Sequence, residues 1–202
     1  MTDRFHRQSI RLKGYDYTRA GAYYVTVCTQ DRSHLFGEMV DERMMLNAMG
    51  TVVQRCWDAI PEHMPMVVLD EFIAMPNHMH GILVITEQAD VPPRVGAGNF
   101  PPLRGVEPDP TKPPSDDPVG EGNFPPPHPI AIMVKNSLGH IMQTFKAAVS
   151  RQVYRDGLLP RDTPVWQRGY YEHIVRNPAE WMRIADYIRD NPSNWAKDRL
   201  NR

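Results

Sequence analysis

The chain has 202 residues, 41% of them hydrophobic, a formal net charge of −1 and two cysteines. That supplies a core for one domain, while no run approaches the roughly 18 apolar residues of a membrane span, and Cys28 and Cys56 share no zinc-finger or CxxC spacing. The polar, basic N-terminus offers no secretion signal, so a cytoplasmic protein with reduced thiols is the expectation.

The charge is unevenly spread. Residues 88–128 hold six acids against three bases, a formal −3, so the remainder carries +2 of the total −1. Basic stretches at 1–20 and 135–176 leave a modest electrostatic footprint, compatible with nucleic acid and equally with mixed solvated surfaces.

In chain order, AYYVTVCTQ (22–30) is β-branched and aromatic and predicts a strand. LFGEMV and RMMLN flank Asp41-Glu42 as a hairpin. Met49, Val52, Val53, Cys56, Trp57 and Ile60 follow the spacing of an amphipathic helix over 46–62, with Pro61 closing it. MVVLDEFIAM (66–75) and HGILVIT (80–86) predict two strands across a tight turn at Pro76-Asn77. Residues 91–129 then contain thirteen of the twenty prolines, and VGAGNFPP (95–102) recurs as VGEGNFPP (119–126). Such a composition cannot bury enough apolar surface to offset chain entropy. Residues 88–128 are therefore expected to be a disordered Pro/Gly-rich insertion in a single domain made of 1–87 and 129–202.

Beyond it, Leu138, Ile141, Met142, Phe145, Val149 and Val153 form a helical stripe from about 136 to 155, with Lys146 off the stripe. VWQRGYYEHIVRN reads as a short extended or irregular piece. The final helix is the best signalled: Asn177 as N-cap, Pro178 in its first turn, Glu180 completing a capping box, and Asn191-Pro192 stopping it near Asp190.

Two stretches carry candidate chemistry. In MPNHMHGILV, strand alternation puts His78 and His80 on one face, where two imidazoles can bind a metal, share a proton or lie solvated. In the last helix Tyr187 lies off the buried stripe with Asn191 one turn further. It is either a nucleophile over a metal site or an amphipathic tyrosine at the core's edge.

Together these strings resemble a known family. MPNHMHGILV matches the His-hydrophobic-His (HUH) motif of single-tyrosine transposases. VWQRGYYEHIVRN followed by RIADYIRDNPSNW, and the opening RQSIRLKGYDYTRAGAYYVTVCTQ, are similar to the REP-associated tyrosine transposases. The resemblance spans nearly all the chain except 88–128. It implies an α+β fold: a ferredoxin-like antiparallel sheet with helices on one face. It also implies a metal-dependent DNA nicking and rejoining enzyme acting on single-stranded DNA with hairpins (REP-like palindromes), as monomer or homodimer. Tyr187 would be the nucleophile and His78, His80 and Asn191 the ligands of Mg²⁺ or Mn²⁺, imidazole also suiting zinc. Lys146, Arg168, Tyr170 and Tyr171 are candidate DNA contacts, and Glu172 and His173 candidate orienting groups. Two rival readings are a catalytically silent hairpin-binding protein and a different HxH metal hydrolase.

Overall fold

A computed structural model describes residues 18–87 and 136–201. The expected insertion at 88–128 lies outside the described residues, as does the basic N-terminal stretch up to residue 17.

The β-branched and aromatic runs become β1 (Gly21–Cys28), β4 (Val67–Met75) and β5 (His78–Ile85). With β6 (Tyr171–Val175) they form an antiparallel sheet in the order β4-β5-β1-β6. The hairpin β2 (Gly37–Val40) and β3 (Arg43–Leu46) stands apart as a two-stranded sheet. Four helices complete the fold: α1 (Ala48–Asp58), α2 (Ile60–His63), α3 (Leu138–Arg155) and α4 (Pro178–Asn194). None of the described helices is long and apolar enough to cross a membrane.

Period-two alternation divides the buried residues into two layers. Tyr23, Val25 and Val27 of β1 and Met79, Leu83 and Ile85 of β5 face α1 and α3, where they pack with Val53, Trp57, Phe145 and Val149. Their neighbours Ala22, Ile82 and Val84 face the other way and meet Trp181, Ile184, Ala185 and Ile188 of α4. The fold is α+β with an antiparallel sheet, as expected, but the helices are not confined to one face. The apolar stripe of α4 needs its own surface, and the second face of the sheet supplies it. Gly81 lets the first layer close up, for a Cβ there would lie 2.5 Å from Cζ2 of Trp57.

The β4–β5 ladder slips once, between Leu69 and Phe72, where β4 carries one residue more than β5. At that bulge Trp181 Nε1 of α4 donates to the Asp70 carboxylate, and Arg189 of α4 approaches Glu71 at 3.7 Å.

Two predicted boundaries differ. The helix expected over 46–62 breaks at Ala59, and Pro61 does not close it but occupies the first turn of α2, where its missing N–H is no loss. Asn191-Pro192 does not stop α4, which runs on to Asn194. This close to the end, Pro192 removes only one backbone bond, and Asn191 therefore lies within the helix as a buried residue. The N-terminal signals hold: Asn177 Oδ1 accepts from Glu180 N at 2.9 Å, and Glu180 Oε2 accepts from Arg176 N at 2.7 Å.

Candidate metal centre and tyrosine site

His78 and His80 project from β5 toward α4 and are 0% and 2% exposed, which disposes of a solvated pair. Their Nε2 atoms face each other at 3.0 Å. His78 Nδ1 lies 2.8 Å from Asn77 Oδ1. His80 Nδ1 lies 2.8 Å from both the Thr26 and Tyr24 hydroxyls, which are themselves 3.1 Å apart. Those two side chains share the His80 face of β1, because Thr26 pairs directly with His80 in the ladder. Burial drives both imidazoles toward neutrality: His78 falls well below its ordinary value, with His80 a secondary cause, and His80 is pushed down to about 3. Neutral imidazole is the form that ligates metal.

A third donor arrives from beyond α4. A 3-10 turn, Trp195–Lys197, leads to Asp198, whose Oδ2 is 3.7 Å from His78 Nε2. The ligand atoms of His78, His80 and Asp198 all fall within 4.8 Å of one another. Asp198 Oδ1 accepts from Leu200 N at 2.8 Å, whereas the buried Oδ2 has no hydrogen-bond partner among the described residues. Burial raises the Asp198 carboxyl, and the Leu200 N–H and the Arg32 guanidinium pull it back.

Asn191 lies between two residues whose rings approach the same pair. The Tyr187 ring lies 5.3 Å from that of His80 and the Trp195 ring 6.0 Å from that of His78. Asn191 is one turn from each, and its Oδ1 is buried with no hydrogen-bond partner among the described residues.

This donor set fits a divalent cation. Two buried imidazole nitrogens 3.0 Å apart, with the Asp198 carboxylate within 4.8 Å, are donors of the kind that would hold such an ion. Two buried oxygens without a hydrogen-bond partner among the described residues, Asp198 Oδ2 and Asn191 Oδ1, add oxygen donors to the set. Nitrogen and oxygen together suit Mg²⁺, Mn²⁺ or zinc without choosing among them.

Tyr187 is half exposed on α4, and Tyr24 lies beneath it with ring centroids 6.4 Å apart. Burial, reinforced by Tyr187, raises the Tyr24 phenol well above its ordinary value, so that hydroxyl stays protonated and bonded to His80. Tyr171 joins the cluster, 6.2 Å from Tyr24 on the same face of the sheet.

The other expected site residues are dispersed. Glu172 pairs with Val25 in the ladder and faces the α1–α3 layer, away from the histidines. His173 is on the histidine face but binds Glu180 at 2.8 Å, buttressing the start of α4. Lys146 donates to the carbonyls of Gln167 and Gly169 at 2.6 and 2.8 Å, a staple between α3 and the following loop. Tyr170 packs against the first layer, and Arg168 is exposed. Tyr24, Thr26, Asn77 and Asp198 escaped the sequence reading. The alternation of YYVTV offered a signal for the first two, but Asp198 carries none, being brought in only by the fold-back after α4.

The four-stranded antiparallel sheet and its helices have the fold of a REP-associated tyrosine transposase. The structure of the REP-associated tyrosine transposase bound to a REP hairpin superposes with a TM-score of 0.51 at 16% identity, over 93% of this chain and 74% of that one. At that identity the likeness establishes the fold. No family model matches the chain. The chain belongs to the family of an uncharacterized protein of Haemophilus influenzae (strain ATCC 51907 / DSM 11121 / KW20 / Rd), to which it is 36% identical over 195 residues, 96% of this chain and 93% of that protein.

Proposed function

We propose that the chain is a metal-dependent enzyme that cuts and rejoins single-stranded DNA beside hairpins, with Tyr187 as nucleophile. The observation that carries this reading is the half-exposed Tyr187 ring 5.3 Å from His80, one of two buried imidazoles whose Nε2 atoms lie 3.0 Å apart. The fold shared with the hairpin-bound transposase supports hairpin DNA as the partner.

His78, His80 and Asp198, with Asn191 beside them, would hold a divalent ion such as Mg²⁺ or Mn²⁺. Such an ion neutralises the charge that gathers on the non-bridging oxygens of a phosphodiester. The Tyr187 Oη attacks the phosphorus, its proton passing to solvent at this exposed position. The bond to the upstream 3′ oxygen breaks and that oxygen takes up a proton from solvent, leaving a free 3′-OH and a 5′-phosphotyrosine, and attack by a 3′-OH reverses the step. The partly buried Tyr24 has its hydroxyl bonded to His80 and Thr26, which favours the exposed Tyr187 over it as nucleophile. The Tyr24, Tyr171 and Tyr187 rings offer stacking surfaces for unpaired bases.

Incubation of the full chain with labelled hairpin oligonucleotides carrying single-stranded flanks, with and without Mn²⁺, tests the reading. A metal-dependent protein–DNA adduct that peptide mapping locates on Tyr187 is expected. Binding without any adduct would leave a silent hairpin-binding protein, and cleavage without an adduct would leave an HxH hydrolase.

A further inference from the structure

Asn77 occupies the turn between β4 and β5, is completely buried, and spends both ends of its amide. Its Nδ2 donates to the Leu200 carbonyl at 2.6 Å, so its Oδ1 is the end that faces His78 Nδ1 at 2.8 Å. A carbonyl oxygen can only accept, and the proton in that contact must belong to Nδ1. A neutral imidazole with its proton on Nδ1 carries its lone pair on Nε2, the atom that meets His80 at 3.0 Å and lies 3.7 Å from Asp198. The donated bond has a second effect. Leu200 is two residues from Asp198, is itself buried, and gives its own N–H to Asp198 Oδ1 at 2.8 Å. The Asn77 backbone oxygen is fixed in turn by the Thr29 N–H and hydroxyl, each at 2.9 Å.

From this arrangement we propose that Asn77 is the positioning residue of the metal site, its carbonyl setting the tautomer of His78 and its NH₂ pinning the C-terminal strap that presents Asp198. The proposal rests on the metal-site reading above. One amide thus aligns two ligands 120 positions apart in the chain, which explains a fully buried polar residue in so tight a turn. Partners of this kind usually change metal affinity by about 10–100-fold.

The test uses the full chain and two readouts apart from DNA cleavage: imidazole nitrogen-15 NMR without metal, and Mn²⁺ affinity from the electron paramagnetic resonance of the free ion. In the unsubstituted chain His78 is expected with its proton on Nδ1, and a proton on Nε2 overturns the proposal. Asn77→Ala is expected to mix the His78 tautomers and weaken Mn²⁺ binding about 10–100-fold. A fall in melting temperature alone, with tautomer and affinity unchanged, would reduce Asn77 to a structural role. Should Asn77→Ala fail to fold, Asn77→Asp keeps the shape and an acceptor for Nδ1–H, and must retain the Nδ1 proton. His78→Ala separates the two ideas: if it binds Mn²⁺ as well as the unsubstituted chain, the metal reading falls, while the NMR result still decides what Asn77 does to His78.

Discussion

Gly81→Ala adds one methyl group on the strand that carries the histidines, and the consequences run through the opposite layer. The new Cβ would lie 2.5 and 2.7 Å from Cζ2 and Cη2 of Trp57. That indole is 1% exposed, stacked on Phe72 at 4.9 Å and edge-on to Phe145 at 5.6 Å, so it has little room to retreat. Overpacking of this kind costs about 1–3 kcal/mol. Replacing a strand glycine with alanine returns roughly 0.5–1 kcal/mol through the unfolded chain. The clash wins, because the neighbour is a rigid ring in a filled layer, and a net loss of about 1–2 kcal/mol remains. At this chain length that lowers the melting temperature by about 2–8 °C. The assay is thermal unfolding followed by circular dichroism, repeated in a Trp57→Phe background. Phenylalanine lacks the two clashing atoms, and its loss of the indole removes an Nε1 that has no hydrogen-bond partner among the described residues. Adding Gly81→Ala there should therefore cost almost nothing. An equal loss in both backgrounds, or no loss in the first, would refute the reasoning.

Tyr187→Phe removes an oxygen from a half-exposed ring, so stability should stay within about 0.5 kcal/mol by urea titration while the DNA adduct disappears on a denaturing gel. Asp198→Asn should weaken Mn²⁺ binding by on the order of tenfold in calorimetry, an anionic donor being lost from the site. An unchanged affinity would remove Asp198 from the ligand set. Glu180 lies below its ordinary value: burial opposes this, and the His173 and Arg176 hydrogen bonds and charges overcome it. Its stabilising contribution is therefore present above the ordinary glutamate range and lost as pH falls through that range toward the folded value. Melting temperatures measured from pH 7 to 3 should fall less steeply for Glu180→Gln than for the unsubstituted chain.

The sequence made the local features legible and the long-range ones obscure, for physical reasons. The caps of α4 and the strand on which His78 and His80 share a face depend on neighbours within four residues, which a linear reading sees. Glu172 and His173, the two candidate orienting groups, are neighbours in the chain. Adjacency within a strand places them on opposite faces, and this became visible only once β6 was known to pair with β1. Asp198 reaches the site because the strap after α4 turns back to Asn77, a contact across 123 positions that no periodicity announces. The histidine partners Tyr24 and Thr26 needed the β1–β5 register, which joins segments more than fifty residues apart.

The bulge in β4 acts as an index mark for Tyr187. Asp70 and Glu71 are the two residues between the last pair before the slip and the first pair after it, and the indole of Trp181 and the guanidinium of Arg189 lock onto them. Tyr187 lies between those two anchors on α4. Sliding the helix by one turn, about 5.4 Å, would bring Arg183 or Asn191 in front of His80 in its place. The reach of the tyrosine is thus set at the sheet edge, by carboxylates apart from the histidine pair. On the proposed reading, substitutions at 70–71 would shift the aim of Tyr187 without touching the histidines.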